Sequence, residues 1–353
     1  MTGLIERWRA WLPVTQRTPV ISLEEGGTPL IRCPGLERIV GNERQVFVKY
    51  EGANPTGSFK DRGMTLAISK ALEEGCSGIL CASTGNTSAS AAAYAARAQI
   101  PCFVVLPAGQ VASGKLAQAV VHGARIIPIE GNFDTALELV LEVAGNRRLT
   151  LVNSLNPYRI QGQKTVAFEI AEALGRCPDA HFLPVGNAGN ITATWLGYRE
   201  LAAHPTGGTS PRMMGYQASG AAPIVRGAPV PNPETLATAI RIGNPASWTG
   251  ATEAAAASHG VIEAVTDEQI LGAYLHLARV EGVFCEPSSA AGVAGLLERA
   301  RTGDLPVPPG GIIVCTLTGN GLKAPETAMA GASLGDAIPA TLAALQSRMD
   351  DPN

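Results

Sequence analysis

Ile79-Leu80-Cys81-Ala82-Ser83-Thr84-Gly85-Asn86-Thr87-Ser88 opens a stretch that continues through an alanine-rich run to Cys102-Phe103-Val104-Val105-Leu106. Ile79 to Ala82 reads as a compact strand with no polar residue to turn toward water. Ser, Thr, Gly and Asn then turn the chain, and a helix is expected from about Ser88 to Ala98 before the next apolar strand, Cys102 to Leu106. Strand, polar loop, helix and strand make a βα unit, and strands apolar on both faces belong to parallel sheets covered by helices. The same rhythm extends outward. Upstream lie a strand at Gln45–Tyr50 and a helix at Met64–Glu74, whose Met64, Ala67, Ile68, Ala71 and Leu72 form one apolar stripe. Downstream come a helix at Gly114–His122, a strand at Arg125–Ile129, a helix at Phe133–Ala144, a strand at Leu149–Val152 and a helix at Ile160–Leu174. Later strands are expected at 181–185, 212–217, 261–265 and 311–317. The fold class is therefore α/β.

The 353 residues exceed the roughly 250–300 at which a single core stops growing, so two domains or lobes are expected. Hydrophobic residues at 46% against charged residues at 16% exclude a mainly disordered chain. A net charge of −3 lacks the basic footprint of a nucleic-acid binder. No apolar run approaches the ~18–20 residues of a membrane span, and the N-terminus has no secretory leader pattern. Seven cysteines without a CxxC pair, most of them inside apolar runs, read as buried reduced thiols of a cytoplasmic protein. No spacing suggests a metal site.

Ligands of such sheets bind beyond the carboxyl ends of the strands, so the loops carry the functional reading. In Asn54-Pro55-Thr56-Gly57-Ser58-Phe59-Lys60-Asp61-Arg62-Gly63, Ser58 and Asp61 have capping-box spacing and predict a helix start at Ser58. Lys60 then sits in a first turn, where the positive end of the helix dipole disfavours an ammonium and favours the free amine that a Schiff-base lysine needs. Ser83–Ser88 and Gly186-Asn187-Ala188-Gly189-Asn190 each follow a strand and open a helix, as anion-binding loops do. Asn153-Ser154-Leu155-Asn156-Pro157-Tyr158-Arg159 and Thr316-Leu317-Thr318-Gly319-Asn320-Gly321 also follow strands, and an arginine can hold a phosphate bidentately. Gly109–Leu116 nearly matches GxxxxGK[ST], but Leu116 replaces the Mg²⁺-binding hydroxyl and a nucleotide triphosphatase is disfavoured.

Taken together, these loops resemble the fold-type II pyridoxal-phosphate enzymes (tryptophan synthase β-like), and within them the threonine synthase family. The resemblance runs from Glu25-Gly26-Gly27-Thr28-Pro29-Leu30 to Thr318-Gly319-Asn320-Gly321-Leu322-Lys323, and it rests on the motifs in order, not on composition or spacing. It implies two parallel-sheet lobes with the active site between them: a smaller mobile domain over 50–158, and a larger domain over 1–49 and 159–353 that binds the cofactor phosphate. It implies that Lys60 holds pyridoxal 5′-phosphate as a Schiff base, that Asn86 meets its 3′-oxygen, that Gly186, Asn187, Ala188, Gly189 and Asn190 bind its phosphate, and that Thr318 faces its ring nitrogen. Ser83, Thr84, Thr87, Asn153, Ser154 and Arg159 would grip a second phosphate, that of O-phospho-L-homoserine. The implied reaction is conversion of that small molecule and water to L-threonine and phosphate by a lyase, with a homodimer as the family expectation. A threonine/serine dehydratase or a β-replacing synthase of the same fold is the alternative. In the dehydratases the asparagine loop usually continues with a histidine where Thr87 stands, and they bind no second phosphate.

Overall fold

The computed structural model describes residues 2–41, 43–108, 113–131, 133–146, 148–204, 208–330 and 336–350. Residues 109–112 of the near-match to a nucleotide loop lie outside that set. The strands are β1 (Leu30–Arg32), β2 (Gln45–Tyr50), β3 (Gly78–Ala82), β4 (Cys102–Pro107), β5 (Arg125–Ile129), β6 (Leu149–Leu151), β7 (Ala180–Pro184), β8 (Arg212–Ala218), β9 (Val261–Val265) and β10 (Ile312–Leu317). They form a six-stranded sheet in the order β1-β2-β10-β7-β8-β9 and a four-stranded sheet in the order β5-β4-β3-β6. All pairings are parallel except β1 with β2. The sheets are parallel as expected, and three residues, Leu30 to Arg32, add an antiparallel edge beside Phe47 to Lys49.

Both faces of each sheet are covered, as the uniformly apolar strands require. On β3, Ile79 and Cys81 join a core with Met64, Ile68, Ala92 and Leu116, while Leu80 and Ala82 face Ala136 and Val140. In the larger sheet, Ile313 and Cys315 of β10 pack into the main core with Phe182, Met214 and Leu296. Val314 between them meets Val166 and Ile170 on the other face. All seven cysteines are free, and only Cys76 is not fully buried. Among the described residues no helix is long and apolar enough to cross a membrane and no side-chain cluster could hold a metal ion.

Two local expectations are corrected. The helix expected at 160–174 is two helices, Pro157–Gln163 and Thr165–Leu174. At the junction the Thr165 hydroxyl donates to the Gly162 carbonyl (2.7 Å), and the close approach of Gly197 leaves no room for a side chain beside the Lys164 carbonyl. Nor does a helix start at Ser58. It begins at Lys60 without a side-chain cap, because the Asp61 carboxylate is engaged elsewhere: it accepts from the Thr56 amide (2.7 Å) and hydroxyl (2.6 Å) and from Ser90 Oγ (2.6 Å).

Candidate active site

The strand ends bring the loops together at the carboxyl edges of both sheets. Ser58 bridges to Gly319, and the Phe59 amide donates to the Thr318 carbonyl (3.0 Å). The segment leading into Lys60 is thereby fastened to the end of β10, with no dependence on a side-chain cap. The Lys60 ammonium position lies 4.2 Å from the centre of the Phe59 ring. Its pKa is lowered to about 7, first by burial, then by the nearby Arg159 cation, with Glu286 opposing both. The direction is the one expected of a lysine in a helix's first turn, but desolvation and a like charge, not the helix dipole, are the leading causes.

Asn86 opens the Asn86–Ala98 helix and its Nδ2 donates to both oxygens of Glu286 (3.2 Å each). Thr318 Oγ1 lies 3.0 Å from Ser289 Oγ and donates to Glu286 Oε1 (3.4 Å). Gly186–Asn190 connects β7 to the Gly189–Ala203 helix. Gly186 packs so closely that a Cβ would lie 2.9 Å from Ile240 Cα, and Ala188 takes the left-handed conformation (φ 64°) that turns the chain into the helix. Asn187 fixes the loop from both ends of its amide: Oδ1 accepts from the Ala246 amide (2.6 Å), and Nδ2 donates to Ser154 Oγ. Beside it, the buried Asn190 Oδ1 has no hydrogen-bond partner among the described residues.

The residues expected at a second phosphate fall into three kinds. Ser83 and Thr84 are half-buried on the loop after β3 and Thr87 half-buried in the first turn of the helix that follows; Ser83 Oγ accepts from the Gly85 amide (3.2 Å). Asn153 clamps the backbone of Ala82, donating to its carbonyl and accepting from its amide (2.9 Å each); it aligns that loop through the backbone. Ser154 reaches the Asn187 loop instead. Arg159 stands apart. It is 1% exposed, its Nη1 donates to the Val152 carbonyl (3.1 Å), and its Nε and Nη2 have no hydrogen-bond partner among the described residues. Burial lowers its pKa to about 10, yet it remains a cation at neutral pH, facing no carboxylate among the described residues. Such a group is complementary to an anion.

Glu286 and Ser289 were not among the expected site residues, nor was Lys323, which faces Asp61 and Glu286. The available signal was an acid in Cys285-Glu286-Pro287-Ser288-Ser289, set between apolar segments and opening a helix.

These residues fit pyridoxal phosphate: a lysine whose amine is half deprotonated near pH 7, a tightly packed glycine loop feeding helix amides, and a neutral hydroxyl at the end of β10. A model for pyridoxal-phosphate dependent enzymes matches residues 21–319. A threonine synthase of Synechocystis sp. is 57% identical over 93% of this chain and 85% of its own length. One from Mycobacterium tuberculosis is 58% identical, covering 93% of this chain and 90% of the relative. The chain belongs to the threonine synthase family of pyridoxal-phosphate-dependent enzymes. The fold that threonine synthases share with other fold-type II enzymes is seen in the likeness to maize serine racemase. That structure has a TM-score of 0.72 at 21% identity, covering 99% of this chain and 97% of that one.

Proposed function

We propose that this enzyme converts O-phospho-L-homoserine and water to L-threonine and phosphate, with pyridoxal 5′-phosphate as cofactor. The observation that carries the reading is Arg159: a buried guanidinium with two unpartnered nitrogens, close enough to Lys60 to lower its pKa, and separate in sequence from the Gly186–Asn190 cradle. With the cradle assigned to the cofactor phosphate, Arg159 supplies the second anion site that a phosphorylated substrate needs. Ser83, Thr84 and Thr87 would add hydroxyls around that phosphate, while Asn153 and Ser154 hold the two loops in register.

Bound pyridoxal phosphate supplies the electron sink for negative charge at the substrate Cα. Lys60 holds the cofactor and then, as a free amine, takes protons from Cα and Cβ of the substrate; a pKa near 7 suits that work at neutral pH. Asn86 would meet the ring's 3′-oxygen and Thr318 its nitrogen. Arg159 would hold the phosphate as it leaves Cγ with the C–O electron pair. The two protons taken would return to Cγ, which becomes the methyl group, and to Cα, while water gives its hydroxyl to Cβ and its remaining proton to the phosphate. In this reading residues 50–158, which contain the whole four-stranded sheet, form the smaller domain that closes over the substrate and excludes bulk water until that step. Cytoplasmic location and homodimeric assembly belong to the same reading, supported by seven free thiols and by the family.

Purified enzyme loaded with cofactor and given O-phospho-L-homoserine is expected to yield threonine and inorganic phosphate in equal amounts, both lost in Lys60→Ala. Phosphate without threonine would point to a related lyase. Release of neither would overturn the substrate.

A further inference from the structure

Glu286 is a buried acid for which the reaction described so far has no use. It is 5% exposed and is held by its backbone, with its amide donating to the Gly319 carbonyl (3.0 Å) and its carbonyl accepting from the Ser289 amide (2.9 Å). Its side chain runs against the chain at Gly319, where a Cβ would lie 2.4 Å from Oε1. Taking a carboxylate out of water costs several kcal/mol unless close partners compensate. Elsewhere in this molecule they do: Glu51 and Glu169 accept from Arg62 at 2.6–2.8 Å. Among the described residues Glu286 has no such clamp. Its hydrogen-bond donors are an amide at 3.2 Å and a hydroxyl at 3.4 Å, and burial pushes its carboxyl above the ordinary range. The weakly compensated acid therefore has a reason to be there other than stability.

Those two donors are Asn86 and Thr318, the residues assigned above to the 3′-oxygen and the nitrogen of the cofactor ring. An amide nitrogen carries two hydrogens, so Asn86 can direct one at Glu286 and keep the other for the ring oxygen. The cations facing Glu286 are Lys60, from the helix it opens, and Lys323, from the segment after β10. Lys323 also faces Asp61 and donates to Gln118. Lys60 feels Arg159 from the other side.

We propose that Glu286 is a positioning residue for the cofactor: it orients Asn86 and Thr318 as one hydrogen-bonded unit and supplies the negative charge against which Lys60 is poised. The inference rests on the cofactor assignments of Lys60, Asn86 and Thr318.

The test is a pH titration of the visible absorbance of holoenzyme, alongside steady-state kinetics with O-phospho-L-homoserine. Glu286→Gln keeps the shape and removes the charge. Its spectral midpoint is expected to move down by roughly one pH unit, the size of shift that loss of an adjacent opposite charge produces. Its kcat is expected to fall about tenfold, with KM little changed because Arg159 is untouched. Glu286→Asp, which retains the charge but withdraws it by one methylene, should move the midpoint the same way by less. A purely structural acid would lower the melting temperature and leave the spectral midpoint where it is. A folded Gln variant with the wild-type midpoint overturns the inference. If the Gln variant fails to fold, an Asp variant with the wild-type midpoint does the same. A wild-type enzyme without any visible cofactor band would instead overturn the reading on which the inference stands, and the inference with it.

Discussion

A guanidinium carries five N–H donors, and those on Nε and Nη2 of Arg159, a residue 1% exposed, have no hydrogen-bond partner among the described residues. Leaving buried donors unmade costs about 1–3 kcal/mol, more for a charged group, so Arg159 lowers the stability of the protein that holds no phosphate. Arg159→Met should therefore raise the melting temperature of the phosphate-free protein while lowering kcat/KM for the phosphorylated substrate by about a hundredfold or more, the loss expected of a buried charged contact. Inorganic phosphate should stabilise the wild type in calorimetry and leave the variant unmoved. An equal phosphate response in both would remove Arg159 from the anion site. The same cation acts on Lys60, whose amine is brought to about 7 by burial and by Arg159. Below that pH the amine is protonated, so capture of pyridoxal phosphate by cofactor-free enzyme should accelerate as pH rises through about 7. In Arg159→Met the midpoint of that stopped-flow profile should shift upward, because a neighbouring positive charge has gone.

At the scale of elements, Lys60 and Arg159 come within electrostatic reach because two helices pass with their backbones in close approach at Gly63 and Gly162. A Cβ on Gly162 of the Pro157–Gln163 helix would lie 2.0 Å from the Arg62 carbonyl oxygen, and one on Gly63 would lie 2.8 Å from the Arg159 carbonyl oxygen. These are backbone atoms and cannot rotate away. Gly162→Ala should cost more than the ~1–3 kcal/mol of ordinary overpacking and lose activity with stability, since the crossing also sets the Lys60–Arg159 relation. Gly272→Ala, where a helical Cβ meets nothing within 4 Å, should instead gain up to about 1 kcal/mol. Denaturant midpoints of the two variants moving in the same direction would contradict this. The contrast also shows what a sequence discloses. Strands such as Ile79–Ala82 and Ile312–Cys315 were legible because burial on both faces leaves them uniformly apolar, and the loops after them were legible by their position. The break at Lys164 was not, because it is made by the Gly197 approach from another helix. The Ser58–Asp61 cap was misread because Asp61 answers to Thr56 and Ser90. Glu286 was missed because Asn86 and Thr318, which give it meaning, lie far from it along the chain.

Across the whole molecule, the start of the Lys60–Glu73 helix is tied to the larger sheet by one buried charge network. Arg62, 1% exposed, donates to both oxygens of Glu51 (2.6 and 2.8 Å) and of Glu169 (2.7 Å each), and also to Thr28 and Thr165. Lys49 on β2 completes it through Glu169 (2.7 Å). Burial alone would raise the Glu169 carboxyl, yet Arg62 and Lys49 outweigh it and hold the group well below the usual carboxylate range. A carboxylate depressed in this way contributes stability that is complete above its unfolded pKa of about 4.3 and drains away as pH falls toward its folded value. The wild type should accordingly resist acid down to about pH 4 and then unfold in a transition that couples both lobes. Arg62→Met removes the guanidinium and leaves Glu51 and Glu169 buried with Lys49 as their remaining cation. It should cost about 3–5 kcal/mol at neutral pH, the penalty of an uncompensated buried charge. Because Glu169 would then bind its proton more readily, the acid transition should also begin at a higher pH. Circular dichroism across a pH series decides the point: a variant that unfolds at the wild-type pH, with an unchanged denaturant midpoint at neutral pH, would show that hydrophobic packing joins the two sheets and that this network does not.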